Sequence, residues 1–262
     1  MNLLSLLNES TILAYLLILC RLGGMLVSSP LFNMHNIPPM TKVGFAAVIA
    51  FILYPLHASH PPAAHDIFQF TTLVLQETII GLLIGFIANL TFMGVQTAGD
   101  LMAMQMGLSS AQMLNPMTGT QNAQVGQFFF YFAAILFLGL NIHHALIAAV
   151  DRSLTWIPLG HFIGEGHLTA SLMTQRCIQL TGEVLLLALT ISIPVSSVLL
   201  VTEVTTGFVA KVMPQMNVFM VAMPLKLILG LLIMMMALPA FADVLGDQYA
   251  HLVQVLLHLY KT

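Results

Sequence analysis

Apolar residues run along the chain in long blocks, and short polar or proline-bearing stretches between them set the expected elements. Residues 11–32 form the first block, with Arg21 near its middle and Ser28-Ser29-Pro30 near its end. At about 1.5 Å per residue it is long enough to cross a hydrocarbon layer of about 30 Å, so the arginine must snorkel or find a partner. Pro38 and Pro39 set a turn, and the second run, 43–56, is short for a span of its own; the two read as a helical hairpin.

A polar connection at 57–66 leads into a long helix predicted over 67–93, with Glu77 towards its start. Gly81 and Gly85 stand at the GxxxG spacing that lets two helix backbones approach closely. Polarity returns at 94–104 with Gln96, Thr97 and Asp100, and a later apolar run, 128–140, ends at Asn141-Ile142-His143-His144. Residues 156–167 are expected to be a Gly-rich loop, with Trp156 as an interfacial anchor. The stretch 168–201 predicts a helix pair or one long helix bent at Pro194, with Glu183 near its entrance. A polar turn is expected at 203–217, then an apolar segment at 218–242, interrupted at Pro224-Leu225-Lys226 and stopped near Pro239. In the tail, 243–262, Val244, Leu245, Tyr249, Leu252, Val255, Leu256, Leu259 and Tyr260 keep a helical period and predict a short amphipathic helix.

One stretch fits neither pattern. Residues 105–128 contain no charge, yet they carry Ser, Thr, Asn and Gln throughout, together with Pro116, the glycines Gly107, Gly119 and Gly126, and Met106, Met113 and Met117. Glycine and proline break helix continuity, and uncharged polar groups suit neither lipid nor a solvated surface loop. Such a segment belongs inside protein or against a water-filled cavity. The chain has 18 methionines, unbranched and polarizable side chains that adapt to irregular or changing surfaces.

Composition places the whole chain in an apolar medium. Of 262 residues, 58% are hydrophobic and only 6% charged, roughly a quarter of the charge of a soluble domain. The expectation is one all-α membrane domain over 1–262. A net charge of −3 without any cluster of Lys or Arg argues against nucleic acid or an anionic lipid surface as a partner. Cys20 and Cys177 make no disulfide framework and read as small buried hydrophobes. The N-terminus lacks the basic region of a cleavable signal, so the first apolar segment is expected to stay.

Little chemistry is on offer. His57, His60 and His65 flank Pro61 and Pro62 with a single Asp66 nearby, a solvated loop rather than a metal site. His143 and His144 are adjacent and so point about 100° apart on a helix, poor partners for one metal. Phosphate loops, HExxH pairs and nucleophile elbows are absent, so neither an enzyme nor a cofactor is expected. The intramembrane charges Arg21, Glu77, Asp100, Glu183, Glu203 and Lys226 remain. Each costs about 2.5–3.5 kcal/mol if left unpaired at a helix centre. They are read as interhelical or intersubunit pairs, with a small-solute transporter relay as the rival; that rival needs inverted repeats or a convergent polar pocket, and no repeat is evident.

Ordered motifs across essentially the whole chain resemble the FliR family of flagellar and type III secretion export-gate proteins. They are Arg21 with Ser29-Pro30-Leu31-Phe32, Ile37-Pro38 with Lys42-Val43-Gly44, and Gln76-Glu77 with Gly81 and Gly85. Gln105-Met106-Gly107, Asn115-Pro116, Gly119-Thr120-Gln121 and Gly126-Gln127-Phe128 follow, then Asn141 to His144, Asn217-Val218-Phe219 and Pro224-Leu225-Lys226. Asn115 stands where an acidic residue is expected and Ile142 where a glycine is usual. The resemblance implies an export-gate subunit of the bacterial inner membrane at the flagellar basal body, assembled with FliP and FliQ and contacting FlhB, through which unfolded flagellar proteins leave the cytoplasm. It implies long kinked helical hairpins packed in a multi-subunit array, much of it lifted above the membrane plane, and a virulence secretion homologue is the near alternative. It also implies that 105–127 forms a plug in the pore, in which Met106, Gly107, Met113, Asn115, Pro116, Met117, Gly119, Gln121 and Gly126 are the gate residues. Gly107, Gly119 and Gly126 then serve as hinges and Met106, Met113 and Met117 as sealing groups.

Overall fold

A computed structural model of the protein describes residues 9–32, 37–57, 66–108, 124–160, 170–215 and 217–258. Among these residues the regular structure is all helix, with α1 Glu9–Ser28, α2 Pro39–His57, α3 Ile67–Gln105, α4 Gln124–Gly139, α5 Ile142–Trp156, α6 Ala170–Val212 and α7 Val218–His258. Five of them (α1, α2, α3, α6 and α7) are long and apolar enough to cross a membrane, and α4 with α5 adds a sixth if the two count as one broken span. This is an all-α membrane protein.

The helices run further than the sequence breaks suggest. α3 continues past Met93 to Gln105, because Ala98, Met102 and Ala103 stay on its buried face and the Thr97 hydroxyl donates to the Met93 carbonyl in the preceding turn. Residues 170–212 are one helix rather than a pair, and a buried stripe of Ala188, Ile191, Val195, Leu199 and Thr202 passes Pro194 without a shift of face. Residues 203–212, read as turn, are the end of α6; Thr205 and Thr206 bond back to the carbonyls of Val201 and Glu203, so their hydroxyls do not compete with the helix. Likewise α7 runs through Pro224 and Pro239, and the amphipathic tail is its continuation. An apolar medium explains all three, since a backbone that leaves the helix there finds no water to bond. Trp156 is the last residue of α5 rather than part of a loop, and its ring is exposed.

The chain forms two compact units. The first comprises Met1–Leu90, Asn141–Leu180 and Ala250–Thr262. In it α1 buries Ala14, Leu17, Ile18, Leu22 and Met25 at helical spacing, and α2 buries Ala46, Ile49, Ala50 and Leu53. The expected hairpin of α1 and α2 is present, tied by the Tyr15 hydroxyl donating to the Ala47 carbonyl at 3.1 Å and by stacked Phe32 and Phe45 rings at 5.5 Å.

Thr91–Leu140 and Thr181–Tyr249 form the second unit. Phe92 on α3 meets Phe130 and Phe137 of α4 at 5.5 Å each and Tyr249 of α7 at 6.2 Å. The Tyr249 hydroxyl, fully buried, donates to the Ala133 carbonyl at 2.9 Å. Gly99 of α3 faces Gly126 of α4 while Phe92 faces Phe137, so these two helices are antiparallel.

Candidate functional site

Arg21 is buried in the first unit, as are Glu77 and Ser153. Its Nε donates to Glu77 Oε2 at 2.6 Å, Nη1 to Ser153 Oγ at 3.0 Å, and Nη2 to the Ile157 carbonyl at 3.1 Å. The second carboxylate oxygen of Glu77 accepts the Gly160 N–H at 3.3 Å, and Gly160 holds a left-handed φ of 84° to present it. One ion pair therefore joins α1, α3, α5 and the turn after α5. A charge pair in an apolar interior survives only when its remaining donors and acceptors are also filled, and here both carboxylate oxygens and three guanidinium nitrogens are.

Close backbone approach makes this possible. A Cβ at Gly81 would overlap the Arg21 carbonyl oxygen, one at Gly85 would overlap Ser28 Oγ and the Met25 carbonyl, and one at Gly24 would stand 3.0 Å from the Leu82 nitrogen. The Gly81 and Gly85 spacing thus packs α3 against α1 of the same chain, with Gly24 as the complementary small residue.

The base of the uncharged stretch lies in the second unit. α3 ends at Gln105, and Gly107 turns the chain with φ 82°, its N–H bonded to the Met104 carbonyl at 3.1 Å. Such a left-handed residue just past a helix end suits glycine. Met106 is buried, and its side chain fills the notch left by Gly230 on α7, where a Cβ would stand 2.7 Å from both Cγ and Cε. Met223 lies beside Gly107. At the other end Gly126, read as a hinge, sits inside α4, where a Cβ would overlap Asp100 Oδ1. Its lack of a side chain lets α4 pack closely on α3. Met113, Asn115, Pro116, Met117, Gly119 and Gln121 lie outside the described residues.

Of the six intramembrane charges, Arg21 pairs with Glu77, and Lys226 Nζ with Glu203 Oε1 at 3.3 Å, linking α7 to α6. Glu183 is half-buried on α6. Asp100 has one oxygen, Oδ1, buried without a hydrogen-bond partner among the described residues. Sequence reasoning missed Ser153, the Ile157 carbonyl, Gly24, Gly230 and Tyr249; a glycine inside an apolar helix was the one available signal, at Gly24 and Gly230. No group of three or more metal-binding side chains occurs among the described residues.

Residues 12–252 of the chain match the family described as "Bacterial export proteins, family 1". The chain belongs to bacterial export proteins, family 1. Within that family it is similar to the flagellar biosynthetic protein FliR of Bacillus subtilis, 28% identical over 247 residues, 94% of each chain. The FliR protein of Caulobacter vibrioides is 30% identical over 240 residues, 91% of this chain and 94% of that one. The Yop proteins translocation protein T of Yersinia pestis is 25% identical over 219 residues, 83% of each chain. The buried ion pair and the glycine contacts fall inside the span shared with the export family.

Proposed function

We propose that the chain is a structural and gating subunit of the flagellar type III protein export gate in the bacterial inner membrane, at the flagellar basal body. The observation that carries this reading is the family match over 12–252, together with relatives named flagellar biosynthetic proteins that align along 94% of their length. The flagellar system is preferred to a virulence system because the FliR proteins of Bacillus subtilis and Caulobacter vibrioides align over more of both chains than the Yop translocation protein does.

Helix length supports an assembly rather than a solitary membrane protein. The apolar stretches Ile178–Val212 and Met220–Leu256 have 35 and 37 residues, about 52 and 55 Å of helix. Fitting about 52 Å into a hydrocarbon layer of about 30 Å requires a tilt of about 55°, beyond the usual range of up to 40°. Leu185, Leu186, Leu189, Ile193, Leu200 and Val201 are exposed along α6, and whatever lipid leaves uncovered must be covered by other apolar helices. FliP and FliQ fill that role in this reading, with FlhB beside them and unfolded flagellar proteins as cargo.

The segment 105–127 acts as the plug. An uncharged stretch with glycines and methionines seals against ions without offering a fixed charge to a passing chain, and it is anchored at Met106 on α7 and at Gly126 on α3. Deleting residues 108–118 should raise ion leakage across the inner membrane while the chain still copurifies with FliP and FliQ. Unchanged ion tightness would sink the plug assignment; normal filament assembly in cells lacking the whole chain would sink the export role.

A further inference from the structure

Lys226 stands on the face of α7 that holds the base of the plug. Met223, three residues before it, lies beside Gly107, and Gly230, four residues after it, receives the Met106 side chain. Residues three and four apart on a helix are neighbours on one face. The lysine Nζ is 3.3 Å from Glu203 Oε1 on α6, with the lysine side chain 18% exposed and the glutamate 69%. The pair therefore sits at the level where α3 ends and the uncharged stretch begins, and its acidic member is still largely uncovered. In the second unit no other charge shares that level among the described residues, and 101–150 contains none at all. Asp100 is six residues before Met106, about 9 Å back along α3, and Lys211 is eight residues beyond Glu203, about 12 Å along α6. On α7 the next charged residue after Lys226 is Asp243, and on α6 the one before Glu203 is Glu183.

Two apolar residues would join α6 to α7 at least as well, since an ion pair contributes little net stability. What the pair supplies instead is two opposite charges that sum to zero beside the plug. Fixed charges along a narrow pore decide which ions pass, and a lone charge acts more strongly there than in bulk water. Residues that hold the base of a plug stand at the wall of the pore it closes. We propose, on the plug reading above, that Glu203 and Lys226 are the charge-balancing residues of the export conduit. Lys226 alone would draw anions and the acidic stretches of a passing chain and hold back basic ones; Glu203 alone would do the reverse. Balanced, the pair lets unfolded chains of either charge go by.

Currents through the assembled complex in planar bilayers, with residues 108–118 deleted, test this. With both partners present, the reversal potential under a KCl gradient should stay near zero. Glu203→Gln should move it towards the chloride potential and Lys226→Gln towards the potassium potential, and the charge swap of Glu203→Lys with Lys226→Glu should bring it back. Single variants that conduct without these shifts overturn the proposal and leave the plug reading standing, whereas a deletion that adds no current overturns the plug reading and the proposal with it. Thiol labelling of the undeleted complex gives a readout that needs no current. Relative to a free thiol, Glu203→Cys should react several-fold faster with an anionic than with a cationic methanethiosulfonate, above the signal of the native Cys20 and Cys177. That preference should disappear when Lys226→Gln is added. A thiol at 203 that reacts with neither reagent, or with both alike while Lys226 is present, also overturns the proposal.

Discussion

The Cα of Gly81 rests against the backbone carbonyl of Arg21, and one helical turn before it Glu77 takes the Nε of that same arginine. The close approach and the ion pair are one arrangement, because only a bare backbone at position 81 brings α3 near enough for Glu77 to reach. A side chain there would also meet the Arg21 carbonyl carbon at 2.8 Å and the Met25 nitrogen at 3.0 Å, backbone atoms that cannot swing aside. Gly81→Ala should therefore destabilise the chain by about 1–3 kcal/mol or more. Gly44→Ala, with nothing within 4 Å of its Cβ, should stabilise α2 slightly. Thermal unfolding of the two variants in detergent should shift in opposite directions.

The ion pair makes a second, sharper prediction. Removing one partner of a buried pair leaves an uncompensated charge and costs about 3–5 kcal/mol, whereas replacing both by apolar residues of similar volume is often neutral or better. Arg21→Met or Glu77→Leu alone should strongly reduce the amount of folded chain in membranes, and the double variant should recover most of it. A double variant no better than either single one would mean that the bonds to Ser153, Ile157 and Gly160 matter more than charge balance.

How much of this was legible in the sequence follows from which signals survive in an apolar chain. Desolvation alone demanded partners for Arg21 and Glu77, and the Gly81 and Gly85 spacing announced a close helix contact; both are present. The arginine's other acceptors, the Ser153 hydroxyl and the Ile157 carbonyl, were invisible because a serine in a helix and a backbone oxygen are common to every segment. Pro224 and Pro239 misled for a different reason. Proline ends helices in water, where the freed carbonyl finds a solvent donor; among apolar side chains the helix is the least costly state for the remaining backbone. The polar stretch 94–104 was underestimated as helix because Asp100, Gln96 and Thr97 sit on the same elements as the buried Ala98, Met102 and Ala103.

Tyr249 offers a test of the second unit that leaves charge untouched. Its ring is wedged among Phe92 and Phe137, and its hydroxyl donates to a helix carbonyl that already belongs to a regular turn. Tyr249→Phe should lose about 0.5–1.5 kcal/mol, the net worth of one hydrogen bond, because no buried donor is left orphaned. Tyr249→Ala should lose about 3–5 kcal/mol through the cavity it opens. A comparable loss in the two variants would show that the hydrogen bond, not the ring packing, holds α7 to α4.

Asn141 ties the last prediction to backbone geometry. It is the one non-glycine residue with positive φ among the described residues, at 58°, and it caps the start of α5 without a side-chain hydrogen bond. Asparagine tolerates the left-handed region better than other side chains, and glycine tolerates it best. Asn141→Gly should thus leave stability close to wild type, and Asn141→Val should lose about 1–2 kcal/mol from the clash of a branched Cβ with the following carbonyl. Since the side chain makes no cap bond, Asn141→Asp should resemble wild type as well. If instead Asn141→Gly proves as damaging as Asn141→Val, the amide itself has a partner in the assembled complex, and the conformational account of this position fails. Unfolding midpoints of the three variants, measured in the same detergent, decide between the two.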